Sequence, residues 1–151
     1  AAADGASLED CKDLLSKLRP GASALFVVNT LEFLHRGGRI GGAAAFFGNA
    51  FNLKPILGLE DGKIEALDKV RTKSKAMRRM LDIFEEKIQN ATRVSVASLH
   101  ANAAVEAQIL LDHVKERFGT DRIVDTFLTE VSPVIGTHTG PGTVGLAYLA
   151  E

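Results

Sequence analysis

One cysteine, four prolines and no long apolar run bound what this 151-residue chain can be. Cys11 alone cannot close an internal disulfide, which removes the secreted disulfide scaffold from consideration. No apolar run approaches the roughly 20 residues needed to cross a bilayer. The opening "AAADGASLEDCKDLLSKL" is acidic and amphipathic, unlike the basic and then apolar regions of a signal peptide, so a cytoplasmic location is expected. Four histidines, at positions 35, 100, 113 and 138, make no zinc-like spacing with that one cysteine. No P-loop, G-x-S-x-G or G-x-G-x-x-G pattern sits between a strand and a helix. No enzyme is visible, and neither a metal nor an organic cofactor is expected. What is present is ordinary for a folded domain: 46% hydrophobic and 25% charged residues, enough to exclude disorder. A chain of this length buries roughly 70% of its unfolded surface as one domain.

The apolar pattern divides the chain into alternating helices and strands. "SLEDCKDLLSKLRPG" predicts a helix capped by Ser7, with Leu8, Cys11, Leu14, Leu15 and Leu18 on one stripe and Pro20-Gly21 as the stop. "SALFVVNT" reads as a buried strand, "TLEFLHRGG" as a short helix ended by glycines, and "IGGAAAFFGNAFN" as a second helix. "KPILGLEDGKIEALDKV" predicts a hairpin turning at Asp61-Gly62. A helix with Met77, Met80, Leu81, Phe84 and Ile88 on its apolar stripe follows, then the strand "RVSVASL", a helix ending at Gly119, the strand "RIVDTFLTEV" and a last strand "TVGLAYLA". Six strands interleaved with about five helices predict an α/β domain: a mixed six-stranded sheet with helices packed on at least one face.

Two segments stand out for chemistry. In "VIGTHTGPGTVGLAYL", His138 lies between Thr137 and Thr139, with glycines on both sides. Such a loop suits an anion such as a carboxylate, met by imidazole and hydroxyl donors; equally, its glycines can serve only to turn the chain. The second segment, "FLHRGGRIGGAAAFFGNAFNLKPIL", sets two arginines around a glycine pair ahead of Phe46, Phe47 and Phe51. His113 and His100 read as packed or capping residues, and His35 as a helix-end residue. Net charge is only −1, yet residues 36–79 hold ten Lys or Arg against four Asp or Glu. That asymmetry suits either an anionic partner or a solvated surface whose charges cancel in space.

Taken together, "LEFLHRGGRIGGAAAFFGNAFNLKPIL", "EDGKIEALDKVRTKSKAM" and "SPVIGTHTGPGTVGLAYL" resemble the DegV family of bacterial fatty-acid-binding proteins, with the motifs in order over nearly the whole chain. The resemblance implies a two-layer domain with a six-stranded mixed sheet. It makes this chain the C-terminal lipid-binding domain (1–151, one domain), without the N-terminal α/β domain that family members carry. It implies a protein that is not itself an enzyme, holds a long-chain fatty acid as its ligand and presents the carboxylate to a separate fatty acid kinase. That kinase would phosphorylate it to an acyl phosphate for phospholipid synthesis. His138, with Thr139, would meet the carboxylate; Phe46, Phe47, Phe51 and Ile56 would line the acyl pocket; Arg39, Arg71, Arg78 and Arg79 would dock the kinase. The expected partners are the fatty acid, the kinase and the missing N-terminal domain. No nucleic acid is expected, and transient membrane contact is compatible with this reading. The alternatives are a phosphotransferase-related enzyme using His138, or an assembly domain that holds no lipid.

Overall fold

The computed structural model describes residues 1–46 and 53–151. Its first helix, α1 (Leu8–Leu18), starts as the sequence predicts: the Ser7 hydroxyl accepts from the Asp10 N–H, and the Asp10 carboxylate answers the Ser7 N–H. No α1 residue is buried, and Leu8, Leu14 and Leu15 remain exposed, so the predicted stripe exists but packs against little within this chain.

Among the described residues, six strands form one sheet in the order β3-β2-β1-β6-β4-β5. They are β1 (Ala22–Val27), β2 (Lys54–Glu60), β3 (Lys63–Val70), β4 (Val94–Ala101), β5 (Ile123–Glu130) and β6 (Thr143–Ala150). Every neighbouring pair is antiparallel except β4 and β5. The single parallel pair follows from the helix α4 (Ala104–Arg122) that joins β4 to β5, a crossover that two parallel strands require. The mixed sheet is therefore as the sequence predicted. The β2–β3 turn lies at Asp61 (φ 50°) and Gly62 (φ 76°), two consecutive left-handed residues of the kind a twisted hairpin needs.

One sheet face carries the main core. Leu25 and Val27 of β1, Ile56 of β2, Val94 and Val96 of β4, and Val144, Leu146 and Tyr148 of β6 meet α3 (Lys73–Ile88) and α4 there. All five predicted stripe residues of α3 are buried in that core. Phe84 stacks edge-on with Phe118 and Tyr148, each at 5.2 Å. α4 keeps helical backbone up to Gly119, where φ 68° and ψ 173° break it at the predicted stop.

The other face is covered differently. Phe26, Val28, Leu31, Leu34, Ala43 and Leu57 form a smaller cluster beneath α2 (Glu32–Arg36) and a 3₁₀ coil, Gly41–Phe46. The expected second α-helix is thus a 3₁₀ coil in its described part. Its paired glycines carry little helix propensity, and the coil lies against β3 instead. A further departure is α5 (Pro133–Thr139): the segment expected to be a glycine-threonine loop is a short helix, with Pro133 at its first position. Val134 and Ile135 accordingly belong to that helix, not to the sheet.

Candidate functional site

The site assembles where α2 and α5 pack together over the second sheet face. Two of the three donors counted in Thr137-His138-Thr139 are used within α5 itself. The Thr137 hydroxyl donates to the Pro133 carbonyl at 2.8 Å, and the Thr139 hydroxyl to Ile135 at 3.1 Å. His138 is left as the polar side chain of the last turn. The carbonyls that end the helix, on Thr139 and Gly140, both accept from the Thr143 hydroxyl, at 3.1 and 2.8 Å. Thr143 opens β6 and is almost fully buried, so it ties the end of α5 to the sheet. Two more bonds hold the connection: Asn29 Nδ2 donates to the Pro141 carbonyl at 3.2 Å, and the Gly142 N–H to Ala101 at 2.7 Å.

Beneath this pair lies a cavity of about 610 Å³, within the range of roughly 300–1,000 Å³ typical of small-molecule sites. Its floor is the sheet: Ala24 and Phe26 of β1, Leu59 of β2, Ile64 of β3 and Leu99 of β4. Leu34 of α2 and Val134 and Ile135 of α5 form its walls. The polar lining is His138, Thr139, Thr143, Arg39 and Lys63, and no carboxylate lines it among the described residues. An apolar trough whose described lining carries Arg39 and Lys63 and no carboxylate suits an amphiphile with an anionic head. His138 is half-buried; its Nδ1 is fully buried and has no hydrogen-bond partner among the described residues. Nε2 is the ring nitrogen that remains open to a partner.

Of the residues singled out from sequence, the structure brings His138, Thr139 and Arg39 to one cavity. Arg39 is exposed, and among the described residues its guanidinium donates to the Gly37 carbonyl alone, at 3.5 Å. Phe46 joins the small cluster beneath the 3₁₀ coil, with Lys69 Nζ 4.8 Å over its ring, and is not among the lining side chains. Phe47 and Phe51 lie outside the described residues. Ile56 is completely buried in the α3 core, on the far side of the sheet from the cavity. Strand alternation explains this, because Leu57 and Leu59 face the second side and Ile56 must face the first.

The basic segment is divided in the same way. Arg78 and Arg79 ride on α3, in the layer opposite the cavity, and Arg71 is exposed just ahead of that helix. Arg79 is held by Asp68 at 2.8 Å and Glu86 at 3.4 Å. Its hydrogen bond keeps the Asp68 carboxyl below the usual carboxylate range and raises Arg79 in turn. His100 is buried, its Nδ1 accepting from the Ala103 N–H at 3.5 Å, so it serves the β4–α4 corner. The described residues contain no His, Cys, Asp and Glu group able to hold a metal ion, and no helix long and apolar enough to cross a membrane.

Sequence reasoning missed the sheet floor and Thr143. The signal for the floor was present in "SALFVV", where apolar residues fill both alternating sets and so imply two covered faces.

Comparison with known proteins agrees with this geometry. The family described as "Uncharacterised protein, DegV family" matches residues 1–151. A DegV domain-containing protein of Halalkalibacterium halodurans is 39% identical over 148 residues, covering 98% of this chain and 51% of the relative. A solved DegV family protein from Thermus thermophilus, described as binding fatty acid, superposes with a TM-score of 0.89 at 35% identity, over 99% of this chain and 53% of that one. The Bacillus subtilis protein described as DegV, a fatty acid binding protein, superposes with a TM-score of 0.80 at 29% identity, over 99% of this chain and 52% of the other. The chain thus spans about half the length of the relatives it matches.

Proposed function

The chain belongs to the DegV family, and from that premise we propose that it holds a long-chain fatty acid, with the acyl chain on the second sheet face and the carboxylate at His138. The observation that carries this reading is the cavity: an apolar floor of strand residues, cationic groups at its border, and no acidic side chain among the described residues of its lining. Energetics divides the work between floor and border. Burying about fifteen methylenes gains on the order of 12 kcal/mol gross, at about 0.8 kcal/mol each. A hydrogen bond to a charged group contributes roughly 1.5–3 kcal/mol. The floor sets most of the affinity, and His138 sets where the head group lies.

In this reading the protein does no covalent chemistry. It offers the carboxylate, at a fixed place near the exposed Arg39, to a separate fatty acid kinase that makes the acyl phosphate used in phospholipid synthesis. The chain acts as the C-terminal domain of a longer protein, whose N-terminal domain covers the open side of the cavity. Solvent extraction of the purified protein followed by mass spectrometry tests the ligand. The expected result is a stoichiometric long-chain acid. Purified protein that carries no acid and takes up no added hexadecanoate would overturn the proposal.

A further inference from the structure

Two adjacent glycines follow α2, and they are glycine for different reasons. Gly38 has φ +67°, a backbone state that disfavours other residues, with open space where a Cβ would point. Gly37 has φ −78° and ψ −3°, which any residue adopts, and its N–H donates to the Phe33 carbonyl at 3.0 Å. Nothing in the backbone asks for glycine at 37. Its surroundings do. A Cβ there would lie 2.1 Å from His138 Nδ1 and 2.8 Å from Cε1, with the Phe33 carbonyl oxygen next at 3.2 Å; the two ring contacts are far inside the roughly 3.5–4.0 Å of an ordinary contact. The imidazole occupies the volume that a side chain at 37 would fill.

We propose that Gly37 is a positioning residue for the head group: it seats the Nδ1 edge of His138 on the end of α2, so that Nε2 is the nitrogen offered to the cavity. This rests on the fatty-acid reading above. A neutral imidazole has one donor nitrogen and one acceptor; tautomerism can exchange those roles, but which nitrogen faces the cavity changes only if the ring turns. With Nδ1 buried against Gly37 and without a partner among the described residues, the ring has one nitrogen to offer. A methyl group at 37 must rotate or displace the ring, while the Phe33 carbonyl has to give by only a few tenths of an ångström.

The test compares hexadecanoate with hexadecanol, which share a tail and differ in head group. Gly37→Ala should lower the preference for the acid by about tenfold, the loss of one charge-assisted hydrogen bond, and leave the affinity for the alcohol unchanged. In a His138→Ala background, where the methyl has room, Gly37→Ala should change neither. Nitrogen NMR of the His138 ring in the ligand-free protein provides a readout independent of binding, and its signals should move in Gly37→Ala. An unchanged ring spectrum overturns the inference outright, as does an equal loss of preference in the His138→Ala background. If the wild type shows no preference for the acid, the fatty-acid reading fails, and the ring spectrum alone decides whether Gly37 seats His138.

Discussion

Replacing His138 by alanine separates the two parts of the proposed site, because head and tail contribute to affinity in different ways. Consider the acids of ten, twelve, fourteen and sixteen carbons, titrated calorimetrically into wild type and His138→Ala. Each added methylene on an apolar floor contributes up to about 0.8 kcal/mol, close to a fourfold gain. The floor is built from Ala24, Phe26, Leu59, Ile64 and Leu99, which come from four strands and none from α5. The plot of binding free energy against chain length should therefore keep its slope in the variant. Its intercept should fall by roughly 1.5–3 kcal/mol, the worth of a hydrogen bond to a charged group. If the chain presents its ligand as proposed, phosphorylation by a fatty acid kinase should fall further than binding, since a head group without an anchor spends less time in register. A change of slope would place the tail against His138 and refute the assignment of floor and border. An unchanged intercept would move the carboxylate elsewhere.

Other perturbations follow from where the structure puts each side chain. Ile56→Ala, in the α3 core, should cost roughly 2–5 kcal/mol of stability on urea unfolding and leave the chain-length slope intact; Leu59→Ala, 43% exposed at the cavity, should do the opposite. Asp68 is depressed by Arg79, so its contribution is present above the unfolded carboxylate pKa of about 3.9 and is lost as pH falls through the lower folded value. Arg79→Gln should thus destabilise at pH 7, by less than about 1 kcal/mol for so exposed a pair, with the difference from wild type closing below about pH 4 in acid-unfolding curves. Arg39→Glu should slow kinase turnover at low salt, whereas Arg79→Glu, on the opposite layer, should not; equal effects would return docking to the basic segment as a whole.

Much of this fold was legible because local chemistry and global packing agree. Ser7 with Asp10, Asp61 with Gly62, and the Met77-to-Ile88 stripe each state one structure at short range, and each is found. What could not be read depends on contacts that are distant in sequence. α5 has seven residues, a glycine and two threonines; its hydroxyls bond back to its own carbonyls and its end is tied by Thr143, so tertiary structure makes it a helix. The side taken by Ile56 was ambiguous because Ile56 and Leu57 are both fully buried, in different clusters. The basic segment looks continuous in sequence, yet the sheet passes through it and leaves Arg39 on one side and Arg78 on the other. His138 was legible as the one ionisable residue in a run of glycine, threonine and proline; the glycine that seats it lies a hundred residues earlier.

The two faces of the sheet explain why a cavity exists at all. Both are apolar, and a sheet of this kind normally needs a covering layer on each side. On the first face α3 and α4 between them reach all six strands, and Leu25, Val27, Val96 and Leu146 are almost wholly withdrawn from water. On the second, the described cover is two short helices and a 3₁₀ coil gathered near one end, so that Ala24 and Leu99 stay only half-buried. Each Å² left open forgoes roughly 25 cal/mol of hydrophobic stabilisation. An acyl chain laid along that strip withdraws two surfaces from water at once, its own and the floor's. The part of the second face that the described residues leave open is therefore both the weak point of this domain and the source of the grip proposed for it, and lengthening α5 or filling the trough should raise stability on urea unfolding while lowering hexadecanoate binding.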